Sequence, residues 1–477
     1  MRTYLPHYLK NRPSTFHEEL TADLNDLSTH RGRHVNRIAP RGGAKTTFCS
    51  KAYSVYSVCE GLEGFILLLS DGADQAASIL ESVKAELENN PAIERDYPHA
   101  FGPGKVWQVE RAVSRNGVLM VAKGAGGKMR GLTKRESRPT LVIIDDANSD
   151  DEGFSERKRE RKWSWLTKGV LPIGEPGTNF VSVGTAIHAE AIPCRLAVDG
   201  GWQTKSYRSI IDWPTRMDLW VEWEKLYTNL ADTDRGATAR RFYEANRTDM
   251  DAGSRVLWQD RFPLYDLMCR RATGGEAAFN CEYQDTPGTD GATEWPESYF
   301  NSEGFWVPKL PSDFIFSVQA LDPSKGSTDR PSDFQAHCFC GLGQDGNLYF
   351  DADLRREDST RMCERAAELI GFWKPHVLVV EVNSGMGLIE AEFRDLDSRG
   401  MLFGRDVESV TSTDAKSSRI RRIGAYLARG QVRVVGSVGG RMLVDQLKGW
   451  PNHKYDDGPD GAGMCLQRVE LAMGVRE

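Results

Sequence analysis

The chain has 477 residues, a hydrophobic fraction of 40%, a charged fraction of 27% and a net charge of −7. That length predicts two or three domains. That composition is of an ordinary globular protein, without an apolar run long enough to span a bilayer and without a global attraction for nucleic acid. The nine cysteines are scattered, with Cys338 and Cys340 the closest pair and no CxxC, so neither a zinc ribbon nor a disulfide framework is indicated.

The first twenty residues, MRTYLPHYLKNRPSTFHEEL, lack the apolar core of a secretion signal, which predicts a cytosolic protein. Apolar, β-rich runs then recur at 65–69 (FILLL), 117–122 (GVLMVA), 140–145 (TLVIID) and 180–185 (FVSVGT), with helix-like segments such as 74–90 between them. Fully apolar strands alternating with helices predict a parallel sheet covered on both faces. This first α/β domain is expected to end near Trp213-Pro214.

The earliest chemical signal is RIAPRGGAKTTF, Arg37 to Phe48. In a phosphate-binding loop, backbone N–H groups cradle the phosphates, a lysine reaches the β/γ oxygens and the next hydroxyl holds Mg²⁺. Arg41, Gly42, Gly43 and Ala44 would form the loop here, Lys45 the charge, Thr46 the hydroxyl, and Thr47 the helix start. Ala39 and Ala44 stand where glycine is usual, and Ala44 is expected to add only a small methyl burden. Arg41 is read two ways: as a cation stabilising transition-state charge in cis, or as a surface arginine neutralising bound phosphate.

The next signal is RPTLVIIDDANSDDE (138–152), an apolar strand ending in two acids. Asp145 would hold the Mg²⁺ opposite the loop hydroxyl, and Asp146 or Glu152 would orient or deprotonate the attacking water. A third strand ends at Gly184-Thr185, where a small polar side chain would sense the γ-phosphate. SERKRERKWSWLTKG follows the acidic strand and carries Arg157, Lys158, Arg159, Arg161, Lys162 and Lys168. These cations, interleaved with Trp163 and Trp165, would touch a phosphate backbone. The same pattern also describes a solvated helix face with buried tryptophans.

From 215 to about 310 the spacing is helical, predicting a helical subdomain and connector. A second β-rich pattern begins at 314. It runs as three strands, a helix and a strand, the order of a mixed sheet. Asp322 and Glu381 stand at strand ends, and Asp456, Asp457 and Asp460 precede a C-terminal helix. Such separated carboxylates suit two hard divalent cations clamping a phosphodiester, with Asp457 the favoured member of the last cluster. Asp333 is better read as a turn residue than as a fourth acid. Lys416, Arg419, Arg421 and Arg422 would draw the scissile strand in.

Taken in order, these motifs resemble the large terminase subunit of tailed bacteriophages. RPSTFHEEL, RIAPRGGAKTT, ILLLSDGADQA, KMRGLTKRESRPTLVIIDD, VSVGTAIH, FNCEYQDTP and the acids in LDPSKG, VVEVN and DDGPDG follow the family's succession over nearly the whole chain. The resemblance implies a P-loop ATPase domain of the ASCE type (1–214) with a helical subdomain (215–310), then a ribonuclease-H-like nuclease domain (311–477). It implies ATP with Mg²⁺ at Lys45, Thr46 and Asp145, coupling through Gly184 and Thr185, and two Mg²⁺ or Mn²⁺ ions at Asp322, Glu381 and Asp457. It further implies double-stranded DNA, a small terminase subunit and a procapsid portal as partners, a homo-oligomeric ring on that portal, and action in the host cytoplasm, with no membrane and no place in the mature virion. Hydrolysis would move the helical subdomain against the sheet. Asp146 departs from the glutamate often found there. A repair helicase–nuclease, or a degenerate ATPase serving as a DNA-binding scaffold, are the competing expectations.

Overall fold

The computed structural model describes residues 1–129, 131, 137–148, 155–287, 294–323, 334–381, 387–410 and 416–475. The chain forms two compact units: residues 1–214 with 253–268 and 279–290, and residues 215–252 with 269–278 and 291–477. The 215–310 segment, expected as one helical connector, is thus divided between them.

The first unit is built on an eight-stranded sheet. Its strands are β1 (His34–Ile38), β2 (Phe65–Ser70), β3 (Pro103–Trp107), β4 (Arg111–Ser114), β5 (Leu119–Gly124), β6 (Leu141–Asp145), β7 (Asn179–Gly184) and β8 (Gln203–Ser206). Their order is β3-β4-β5-β2-β6-β7-β1-β8. From β5 to β8 all neighbours are parallel, and β3 and β4 add an antiparallel edge. The runs FILLL and LVIID are buried throughout because alternate side chains enter opposite cores. Ile66, Leu68, Leu141 and Ile143 join one cluster with residues of helices Thr15–Thr29, Tyr53–Cys59 and Ala73–Asn89. Phe65, Leu67, Leu69, Val142 and Ile144 join the other with Leu166, Val170, Ile192 and Leu196. A short antiparallel pair, β9 (Ile210–Asp212) and β10 (Arg255–Val256), completes the strands of this unit. The sequence pattern gave no sign of a strand at Arg255.

The second unit holds a seven-stranded mixed sheet of β11 (Trp306–Val307), β12 (Phe316–Asp322), β13 (Gln335–Leu342), β14 (Leu348–Arg355), β15 (Val377–Glu381), β16 (Asp406–Val410) and β17 (Val432–Val435), in the order β11-β17-β14-β13-β12-β15-β16. β12, β13 and β14 form an antiparallel meander, and β15 returns parallel to β12 after the helix Ser359–Trp373. That is the order read from the sequence. Helices Met217–Tyr227 and Arg235–Asp251 belong to this unit, held together by Trp220 and Trp223 packed edge to face and by Trp220 Nε1 donating to the Met250 carbonyl. Among the described residues no helix is long and apolar enough to cross a membrane.

Candidate functional sites

In the first unit, β1, β6 and β7 are parallel neighbours, so Ile38, Asp145 and Gly184 finish at the same edge of the sheet. Ligand crevices of open α/β sheets lie outside this edge. The loop after β1 turns back on itself there. Gly42 takes φ 73°, and a Cβ on Gly43 would stand 2.9 Å from the Pro40 carbonyl oxygen. Ala44 takes φ 56°, the left-handed region that glycine enters freely and other residues enter at a cost. The burden at Ala44 is therefore in its backbone, not in the space its methyl fills.

Lys45, 4% exposed, folds over the loop. Its Nζ donates to the carbonyls of Ala39 (3.1 Å) and Pro40 (3.2 Å) and to Thr185 Oγ1 (2.9 Å), and lies 3.5 Å from Asp146 Oδ2. Thr46 Oγ1 donates to Asp145 Oδ1 at 2.9 Å. Burial, with the charge of Asp146 beside it, pushes the Asp145 carboxyl up to about 6, against the pull of Ser50, Thr46 and Lys45. Thr47 opens a π-helical turn, Thr47–Ala52. Arg41, Gly42, Lys45, Asp146, Gly184 and Thr185 line a cleft of about 440 Å³. Arg41 sits at its rim with Nε 3.4 Å from Glu282 Oε1. Glu152 lies outside the described residues.

Three contributors went unread in the sequence. Ser50 donates to the second oxygen of Asp145. Glu282, in the FNCEYQDTP stretch, accepts the Arg41 N–H through its carbonyl at 2.9 Å. His17 Nδ1 accepts the Ser14 N–H while Nε2 meets the Gly43 carbonyl oxygen at 2.9 Å. The spacing Ser14-x-x-His17 is a capping-box signature with histidine in place of the usual Glu or Gln, the signal that would have found it.

The basic helix Glu156–Trp165 is split by burial. Arg157, Lys158 and Arg161 are exposed, as is Lys168 beyond the helix. Arg159 is buried and pairs with Glu190, and Lys162 pairs with Asp71. Trp163 lies under the Arg195 guanidinium, and Trp165 donates to the Gly127 carbonyl. Arg159, Lys162 and both tryptophans are thus committed to the unit's own packing, and only the outward cations present themselves to a phosphate backbone.

In the second unit, β12 and β15 run parallel, with Leu321 opposite Val380, so Asp322 and Glu381 emerge side by side. The helix Asp457–Ala472 brings the third acid. It lies close on the sheet because of glycine: a Cβ on Gly461 would stand 2.9 Å from Cys338 Sγ, and one on Gly463 would stand 2.9 Å from the Arg419 carbonyl oxygen. Asp460 comes to the strand ends, and one carboxylate oxygen each from Asp322, Glu381 and Asp460 lie within 4.8 Å of one another. Asp457, the residue favoured from the sequence, is one turn away and spends its Oδ2 on the Phe334 N–H at 3.0 Å. Asp456 pairs with Lys416 at 2.8 Å. Asp333 lies outside the described residues.

Burial, then the charges of Asp460 and Glu381, push the Asp322 carboxyl up to about 7. Burial also raises Glu381, and raises Asp460 against the pull of Lys416 and Arg419. Three oxygen donors that repel one another when ionised suit a hard divalent cation. The cations expected to guide DNA are otherwise engaged. Arg419 is buried on Asp460, Arg421 Nε donates to Glu294 at 3.1 Å and Arg422 pairs with Glu470 at 3.2 Å.

No protein-family model matches this chain, and no curated protein matches it. Among solved structures it is similar to two lysine-to-alanine forms of the large terminase subunit of bacteriophage Sf6. One is the gp2c portion with calcium, at 9% identity over 32% of this chain and 88% of that one, TM-score 0.24. The other is the gp2 nuclease domain with manganese and β-thujaplicinol, at 9% identity over 38% of this chain and 94% of that one, TM-score 0.24. At that TM-score the likeness carries no argument; the chain's own acids and loop do.

Proposed function

We propose that this chain is a viral DNA-packaging enzyme, an ATP-driven translocase of double-stranded DNA joined to a metal-dependent endonuclease that cuts concatemers. The observation that carries the reading is the convergence of Lys45, Thr46, Asp145, Asp146 and Thr185 at one sheet edge, in a chain whose other unit gathers Asp322, Glu381 and Asp460. The motif order that resembles the terminase family adds the packaging context: a small subunit, a portal and a ring of copies.

At the first site the residues fit a nucleotide with Mg²⁺. Lys45 holds its ammonium at the loop mouth on weak carbonyl partners and is positioned to take phosphate oxygens instead. Thr46 and Asp145 are the oxygen donors for the cation, which would neutralise charge between the phosphates. Asp146, at φ 42°, aims its carboxylate across the cleft beside Lys45 and is placed to orient water. Thr185, bonded to Lys45, is placed to register whether the lysine holds phosphate. At the second site Asp322, Glu381 and Asp460 would hold the divalent cation, which supplies Lewis-acid activation at phosphorus.

The test pairs two variants. Plasmid DNA is incubated with Mn²⁺ or Mg²⁺, and ATP turnover is measured with DNA present. Asp322→Ala should abolish cleavage and spare ATP turnover; Lys45→Ala should do the reverse and stop packaging. A Lys45→Ala protein that still packages DNA would sink the translocase reading.

A further inference from the structure

The carboxylate centre already contains two cations of its own. Arg419 is 4% exposed. Its Nε donates to Asp460 Oδ1 and its Nη2 to Asp460 Oδ2, both at 2.9 Å, and Nη2 also stands 3.7 Å from Glu381 Oε1. Lys416, one turn earlier on the helix Lys416–Ala428, places Nζ 2.8 Å from Asp456 and 3.6 Å from Asp460. Arg419 has nowhere else to go. Its backbone is wedged against Gly463, and a guanidinium stripped of its acids in a buried place is strongly unfavourable.

We propose that this centre binds one divalent cation, not a pair, and that the fixed charge of Arg419, aided by Lys416, stands in for the second. The inference rests on the metal-dependent nuclease reading and narrows it. Paired-metal sites hold their ions roughly 3.5–4 Å apart between shared carboxylates. Here both oxygens of Asp460 already accept from Arg419, and Glu381 faces the same guanidinium. A second ion would have to displace those bonds and sit against a charge that does not move. The charge count agrees. Asp322, Glu381 and Asp460 bring three negative charges, and Lys416 and Arg419 return two. One divalent ion turns the remaining excess of one negative charge into one positive charge. A second would leave three positive charges in a buried site, where repulsion is little screened.

The experiment is a Mn²⁺ titration of the full chain without nucleotide, followed by the electron paramagnetic resonance of free Mn²⁺, beside Asp322→Asn. The expected result is one Mn²⁺ per chain that Asp322→Asn removes. Arg419→Gln should then admit a second Asp322-dependent ion. Should circular dichroism show that variant unfolded, Lys416→Met serves in its place, binding the single ion about tenfold more tightly. Two Asp322-dependent ions in the unaltered protein would overturn the inference and leave the metal-centre reading standing. No Asp322-dependent ion would overturn both.

Discussion

Ser50 donates a 2.5 Å hydrogen bond to Asp145 Oδ2, one turn beyond the Thr46 hydroxyl that holds the other oxygen of the same carboxylate. The π-helical turn Thr47–Ala52 carries Ser50, and Asp145 is 1% exposed. When Thr46 turns to a cation, Ser50 is what keeps Asp145 aimed. A hydrogen bond to a buried charged group contributes about 1.5–3 kcal/mol. Ser50→Ala should therefore weaken ADP binding in Mg²⁺ by roughly tenfold while ADP binding in EDTA stays unchanged, as measured by calorimetry. Equal losses in both buffers would reduce Ser50 to a packing residue.

Ala44 gives a stability prediction of unusual sign for a loop substitution. A non-glycine residue in the left-handed region carries a penalty of about 1–2 kcal/mol, and the freer unfolded chain of glycine returns about half of it. Ala44→Gly should thus stabilise the first unit by about 0.5–1 kcal/mol in denaturant unfolding, and Ala44→Val should destabilise it. A loss of stability in Ala44→Gly would mean that the loop does not hold φ 56° in solution.

The His17 ring couples the phosphate loop to pH. Burial pushes its pKa down to about 4, although the Gly43 carbonyl pulls the other way. The unfolded ring titrates near 6.5. Between those values the unfolded chain binds the proton and the folded one does not. The stability due to the neutral ring is therefore complete above about pH 6.5 and is lost as pH falls toward 4. His337, also held near 4 by burial, loses stability over the same range. The comparison is consequently with His17→Gln, whose unfolding free energy should fall less steeply than that of the unaltered protein from pH 7 to pH 4.5. Identical slopes would show that His17 does not titrate with folding.

Much of this was open to reading in the sequence, for physical reasons. Strands buried on both faces must be apolar at every position, so FILLL and LVIID announce a covered parallel sheet. A lysine–hydroxyl pair after one strand and two acids after another announce a shared edge. The details that escaped depend on close approach in space. Nothing local distinguishes Asp457 from Asp460, which lie three residues apart on one helix. Gly461 and Gly463 decide between them through contacts with Cys338 and Arg419, more than forty residues distant in the chain. The basic runs misled for a related reason. Arg159 and Arg419 read as exposed cations until the acids they meet, Glu190 and Asp460, are brought to them by the fold.

That choice between neighbouring acids yields the last prediction. Asp460 contributes an oxygen to the triad, whereas Asp457 holds the Phe334 N–H. Asp460→Asn should abolish both DNA cleavage and the Asp322-dependent Mn²⁺ signal, since it removes a charged donor and leaves Arg419 buried without its main partner. Asp457→Asn keeps an oxygen for the Phe334 N–H and should lower cleavage less than tenfold with the ion still bound. Gly463→Ala tests the geometry without touching any acid. Its methyl must displace the Arg419 backbone, so the guanidinium and Asp460 shift together and Mn²⁺ affinity falls, while the helix gains propensity of about 1 kcal/mol. Full Mn²⁺ affinity in Gly463→Ala would show that the close approach of the two helices does not set the position of Asp460.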